Sequence, residues 1–67
     1  MTPDVEVGDF GSVVLISPRT EEAKAWLVEN TSGTWFMGAL VVEPRYLVPL
    51  LEGMALEGFS VPLEAVA

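Results

Sequence analysis

The longest apolar runs in this chain are four residues, as at residues 13–16 and 39–42, although 51% of all positions are apolar. A membrane-spanning helix needs about 20 such residues in a row, so none is expected here. An acidic disordered tail is excluded by the same figure, since such tails carry too little apolar surface to offset the entropy of ordering. What remains is a packed fold built from short elements. At 67 residues it is expected to be a single domain, residues 1–67, with residues 1–9 a loose or edge element.

Charge narrows the chemistry. Ten acidic residues stand against Arg19, Lys24 and Arg45, a net charge of −7. Direct contact with nucleic acid is disfavoured, because phosphate recognition needs clustered Lys and Arg. An acidic field instead speeds encounter with a basic surface. The plainer reading is that acidity keeps a very apolar small domain in solution. There is no cysteine and no histidine. That removes disulfides, thiolate chemistry, the commonest metal ligand and the usual general base. We expect no enzyme, no cofactor and no metal site. The opening Met1, Thr2, Pro3 and Asp4 lack the basic start and apolar stretch of a secretory signal. The expected compartment is the cytosol, which also fits the lack of cysteine.

Elements can be placed by period and punctuation. Val5 and Val7 alternate with Glu6 as a short strand, and GDFG at residues 8–11 turns the chain. The block VVLI at residues 13–16 reads as a strand covered on both faces, stopped by Ser17 and Pro18. Thr20 suits a helix N-cap, with Glu21 and Glu22 in a first turn that favours anions. Ala23, Trp26 and Leu27 make that helix's core stripe, and Asn30, Thr31, Ser32 and Gly33 end it. TWFMGALVV at residues 34–42 is expected as one strand with a bulge or close approach at Gly38. Leu47, Leu50, Leu51 and Met54 then recur at helical spacing. Pro49 interrupts them, so a single turn over residues 44–48 followed by a helix from about Pro49 is expected. Gly58 is placed to end that helix in the left-handed conformation, with Phe59 folding back towards Met54. Phe59, Val61 and Leu63 alternate as a last edge strand, limited by Pro62.

The order is therefore (β)-β-α-β-α-β. The fold class is α+β, a small two-layer α/β sandwich with a three- to four-stranded mixed sheet and two helices. Val28 and Leu56 fall off both core stripes. They are expected at the surface, available to a second copy or a partner.

Several apparent motifs carry no chemistry. GDFG contains the kinase triplet, but a chain this short has no other kinase part. GTWFMGAL at residues 33–40 has phosphate-loop glycine spacing with Ala39 where the lysine belongs. Asn30, Thr31 and Ser32 match a glycosylation sequon without a secretory context. Asp4, Glu6 and Asp9 lack the ligand spacing of a calcium loop. Trp26 reads as core. Trp35 and Phe36, as strand neighbours, point to opposite faces, so one ring becomes a binding anchor if one face is open. Tyr46 reads as structural and Arg45 as a contact residue.

The pattern GSVVLISPRTEEAKAWLVEN, then Trp35 and Gly38, then VVEPRYLVPLLEGMALEGFSV, resembles a group of small α/β proteins from bacterial and mobile-element genomes, many of them uncharacterised. The likeness spans residues 11–61 and rests on Gly11, Pro18, Ala23, Trp26, Gly38, Val42, Glu43, Arg45, Tyr46, Leu51, Gly53, Gly58 and Phe59. In size, acidity and lack of catalytic side chains the chain is also similar in type to anti-CRISPR proteins of phages. That likeness implies a non-catalytic inhibitor acting as a DNA mimic on a basic nucleic-acid-binding surface of a bacterial CRISPR–Cas complex. The carboxylates it would offer are Glu22 and Glu29 first, then Glu21, Asp4, Glu6, Asp9, Glu52 and Glu57. Glu22 and Glu29 lie two turns apart on one helix flank, roughly 10 Å at 1.5 Å per residue. The alternative is a homodimeric accessory or structural protein that binds an operon partner through Val28, Leu56 and one strand aromatic.

Overall fold

The computed structural model of the chain describes residues 3–62. Its elements are β1 (Val5–Asp9), β2 (Val14–Pro18), α1 (Glu21–Asn30), β3 (Thr34–Phe36), β4 (Ala39–Val42) and α2 (Pro44–Leu56). The four strands form one sheet in the order β1-β2-β4-β3, antiparallel at every seam. This is a small α+β fold with two helices on a four-stranded sheet, as the sequence leads one to expect, running strand, strand, helix, strand, strand, helix. β1 and β3 are the edges.

Register decides which side chains meet the helices. Residues directly opposite in antiparallel strands share a face. The pairs Val7↔Ile16, Ile16↔Leu40 and Trp35↔Leu40 therefore carry one face across all four strands. Val5, Val14 and Val42 extend it. The two helices cover that face, where Val5, Ile16, Ala23, Leu27, Leu40, Val42, Leu51 and Met54 make one core. Every residue of it is apolar, and no buried side-chain polar atom among the described residues lacks a partner.

The helix ends follow from local chemistry. Thr20 Oγ1 accepts from the Ala23 N–H at 3.1 Å, the capping bond its position predicts. At the other end, the Thr31 N–H and hydroxyl both donate to the Leu27 carbonyl. α2 closes with Gly58 at φ 97°, Phe59 N–H on the Met54 carbonyl and Gly58 N–H on the Ala55 carbonyl, both at 3.0 Å. That double bond is a Schellman cap, and only glycine takes its left-handed residue without strain. Gly58→Ala is expected to cost about 1 kcal/mol or more in chemical denaturation. Gly53 is the opposite case. A Cβ there would stand 3.5 Å from the Trp26 ring, ordinary contact distance, at a helical position. Gly53→Ala is expected to raise stability by roughly 0.5–1 kcal/mol, seen as a higher denaturation midpoint at unchanged slope.

Four finer expectations need correction. Residues 34–42 are not one strand but a hairpin, because Met37 (φ 50°) and Gly38 (φ 81°) both take positive φ. Two such residues make the mirror-image turn whose twist suits a two-residue hairpin. That extra reversal sends β4 back against β2, so the sheet is antiparallel throughout rather than mixed. The second helix is continuous over Pro44–Leu56 with Pro49 inside it. Pro49 forgoes one hydrogen bond to the Arg45 carbonyl on the exposed side, while Leu47, Leu50, Leu51 and Met54 keep an unbroken inward stripe. Finally, residues 59–62 form no ladder. They are pinned instead to the start of β1: Asp4 N–H donates to the Ser60 carbonyl, and Ser60 N–H to Asp4 Oδ2, each at 2.7 Å. Leu63, the third residue of that expected strand, lies outside the described residues.

Candidate partner-binding surface

The eight nominated carboxylates divide into two groups. Asp4 is structural, half-buried and committed to Ser60, with its own carbonyl accepting from the Arg19 N–H at 2.6 Å. Glu6 is paired with Arg19 at 2.6 Å. Asp9 Oδ1 accepts from the Gly11 N–H at 2.9 Å and shapes the β1–β2 turn. Strand alternation puts Glu6 and Asp9 on opposite sheet faces, so these three acids do not converge. Among the described residues no group of three or more acidic side chains is placed to hold a metal ion. Glu21, Glu22, Glu29, Glu52 and Glu57 form the second group. All five are exposed, belong to the helix layer and make no ion pair among the described residues.

Helix geometry brings part of that group together. Glu22, Trp26 and Glu29 follow at i, i+4 and i+7 and share one flank of α1. Trp26 shows which way that flank faces, since its ring lies against Gly53 of α2 and meets Phe59 edge-on at 6.3 Å. Glu22 and Glu29 therefore border the seam between the helices. Glu57 stands one turn beyond Gly53 and approaches the seam from α2. Glu52 points outward from α2, and Glu21 lies on the far side of α1. Lys24 is on the flank of α1 away from the seam. Arg45 is occupied locally, 3.2 Å from Glu43 and 4.9 Å above the Tyr46 ring. Tyr46 itself is exposed rather than structural, because it faces a cleft and not the core.

The opposite side of the sheet has another character. No helix covers it. The block at residues 13–16 is thus buried on one face only: Val14 and Ile16 face inward, while Val13 and Leu15 face out. Of the two neighbouring rings, Trp35 packs on the core and Phe36 is 57% exposed. Phe10, Val13, Leu15, Thr34, Phe36 and Val41 line an apolar trough on this open face. Apart from Phe36, sequence reasoning missed these residues. The available signal was layer arithmetic, since two short helices can cover only one face of a four-stranded sheet. Val28 and Leu56 are exposed at 54% and 87%, as their helical positions imply.

A cleft of about 480 Å³ lies between the end of α1, β4 and the start of α2. Its polar groups are the hydroxyls of Thr31, Ser32, Thr34 and Tyr46 and the carboxylate of Glu43. Glu43 is turned to Arg45, and Tyr46 is the other ionisable side chain in the lining. No helix among the described residues is long and apolar enough to cross a membrane. Compared with protein-family models, curated proteins and solved structures, the chain matches none of them.

Proposed function

We propose that this chain is a non-catalytic acidic binding module that sets the carboxylates of its helix layer against a basic surface of a partner complex. One observation carries the reading. Five exposed carboxylates that make no ion pair among the described residues, Glu21, Glu22, Glu29, Glu52 and Glu57, lie on the helical side, and Glu22, Glu29 and Glu57 border the seam marked by Trp26. The likeness in type to phage anti-CRISPR proteins supplies the class of target. It is the nucleic-acid channel of a CRISPR–Cas complex, occupied in place of DNA in the cytoplasm of a host bacterial cell. Carboxylates spaced by helical turns offer charge at intervals that arginine and lysine side chains reach, with the rate enhancement of opposite fields.

The test is competition. A labelled DNA duplex bound to a purified CRISPR–Cas complex is expected to be displaced by the chain at low salt and much less at about 0.5 M, where screening shortens the reach of exposed charges to a few ångströms. Displacement indifferent to salt, or none at all, overturns the reading. The alternative, an accessory protein binding an operon partner through apolar surface, is supported by the 87% exposure of Leu56. Leu56→Ser separates the two readings, because it leaves electrostatic docking intact and weakens apolar docking.

A further inference from the structure

We infer that the open face of the sheet is a self-association surface and that a second copy of this chain occupies it. The inference does not rest on the acidic-docking reading, and its test involves no other protein. The register lays the outer face out as rows. Gly8, Leu15, Val41 and Thr34 form the middle row, and Glu6, Ser17, Ala39 and Phe36 form the row at one end. Phe10 follows β1 at the other end and folds over Gly8, where an added Cβ would be 3.1 Å from its ring. The two rings thus stand at diagonally opposite corners, with a lower apolar floor between them. A two-fold axis in the plane of the sheet brings each ring over a corner of the other copy that has none. This is the self-complementarity that a symmetrical interface requires.

Charge selects the occupant. At −7, two copies repel unless their free carboxylates are kept apart. Among the described residues, the carboxylates without an ion pair on the helices, Glu21, Glu22, Glu29, Glu52 and Glu57, lie on the far side of the sheet, and Asp9, paired in register with Val14, turns to that side as well. On the outer face Glu6 is already paired with Arg19 at 2.6 Å, and Glu43 at its margin is paired with Arg45. Sheet-to-sheet packing therefore buries apolar surface while turning the acidic layers outward. Area is adequate for a weak dimer. Phe10 is 67% exposed, Phe36 57%, and Met37, at the hairpin tip beside Phe36, 91%. With Val13, Leu15, Thr34 and Val41 these offer on the order of 500 Å² per copy, about 1,000 Å² in all, near the lower limit of specific interfaces.

Sedimentation velocity tests it. Wild-type protein is expected to pass from monomer to dimer between about 1 and 300 μM, the range for an interface of this size. The double variant Phe10→Ser, Phe36→Ser is expected to raise the dissociation constant more than about tenfold, with its circular dichroism unchanged because both rings are exposed. Leu56→Ser, on the helix layer, should leave the dimer intact. A second readout uses the absence of cysteine. V41C should be joined to its counterpart by a short bis-maleimide, and L56C should not. A strictly monomeric wild type leaves the face to a foreign partner and overturns the inference. So does a dimer that survives loss of both rings but not Leu56→Ser.

Discussion

Leu51→Ala is expected to leave a large fraction of the chain unfolded at room temperature. Leu51 is fully buried on α2, in the same cluster as Ile16, Leu27, Leu40 and Met54. Truncating such a leucine removes its transfer free energy and opens a cavity, together about 2–5 kcal/mol. A domain below about 70–80 residues rarely has more than 3–5 kcal/mol in all. This one has no disulfide to supplement its core. The loss is therefore comparable with the whole stability. Urea denaturation followed by fluorescence reads it directly, because Trp26 packs between α1 and α2. Leu56→Ala, on the same helix but 87% exposed, should change stability by no more than about 0.5 kcal/mol. A Leu51→Ala variant that unfolds cooperatively with a loss below about 1 kcal/mol would contradict the placement of the core.

The second large effect concerns rate rather than stability. Replacing Glu22 and Glu29 together by lysine exchanges two negative charges for two positive ones beside the helix seam. Against a basic partner, steering is expected to fall, slowing association by roughly ten- to a hundredfold at low ionic strength with little change in dissociation. Near 0.5 M salt, where the Debye length is only about 4 Å, wild type and variant should converge. Stopped-flow mixing with the purified complex separates the two rate constants. Two other substitutions mark the boundary of the claim. Glu6→Gln removes a carboxylate already held by Arg19, so its effect on association should be small. Asp4→Ala should instead lower stability by about 1–2 kcal/mol, since it frees the Ser60 N–H in a half-buried place. If Glu22 and Glu29 reversal slows dissociation or leaves association untouched, the seam is not the docking surface.

Much of the fold was legible in local chemistry. Thr20, Glu21 and Glu22 announce the start of α1, and Gly58 with Phe59 announces the end of α2, because caps depend on a few adjacent residues. Core stripes at Ala23 and Leu27, and at Leu51 and Met54, follow from helical period alone. Residues 34–42 were misjudged for a physical reason. Glycine at Gly38 marks positive φ, but Met37 shares that conformation, and methionine carries no local sign of it. Pro49 misled in the other direction: a local rule was overridden by four leucine and methionine side chains with a core to fill.

The candidate site was half legible. That acids dominate and that Glu22 and Glu29 share a flank could be read from composition and period. Which carboxylates are free could not, because Glu6–Arg19 and Asp4–Ser60 join residues that only folding brings close. Sequence alone determined the small α+β class, the helix caps, the core stripes and the sign of the charge, all properties of residue type and short-range spacing. Tertiary structure decided the antiparallel sheet order, which acids remain unpaired, and that one face of the sheet lies open. Those depend on where distant segments come to rest, and an alternating strand reads the same whether one of its faces or both are covered.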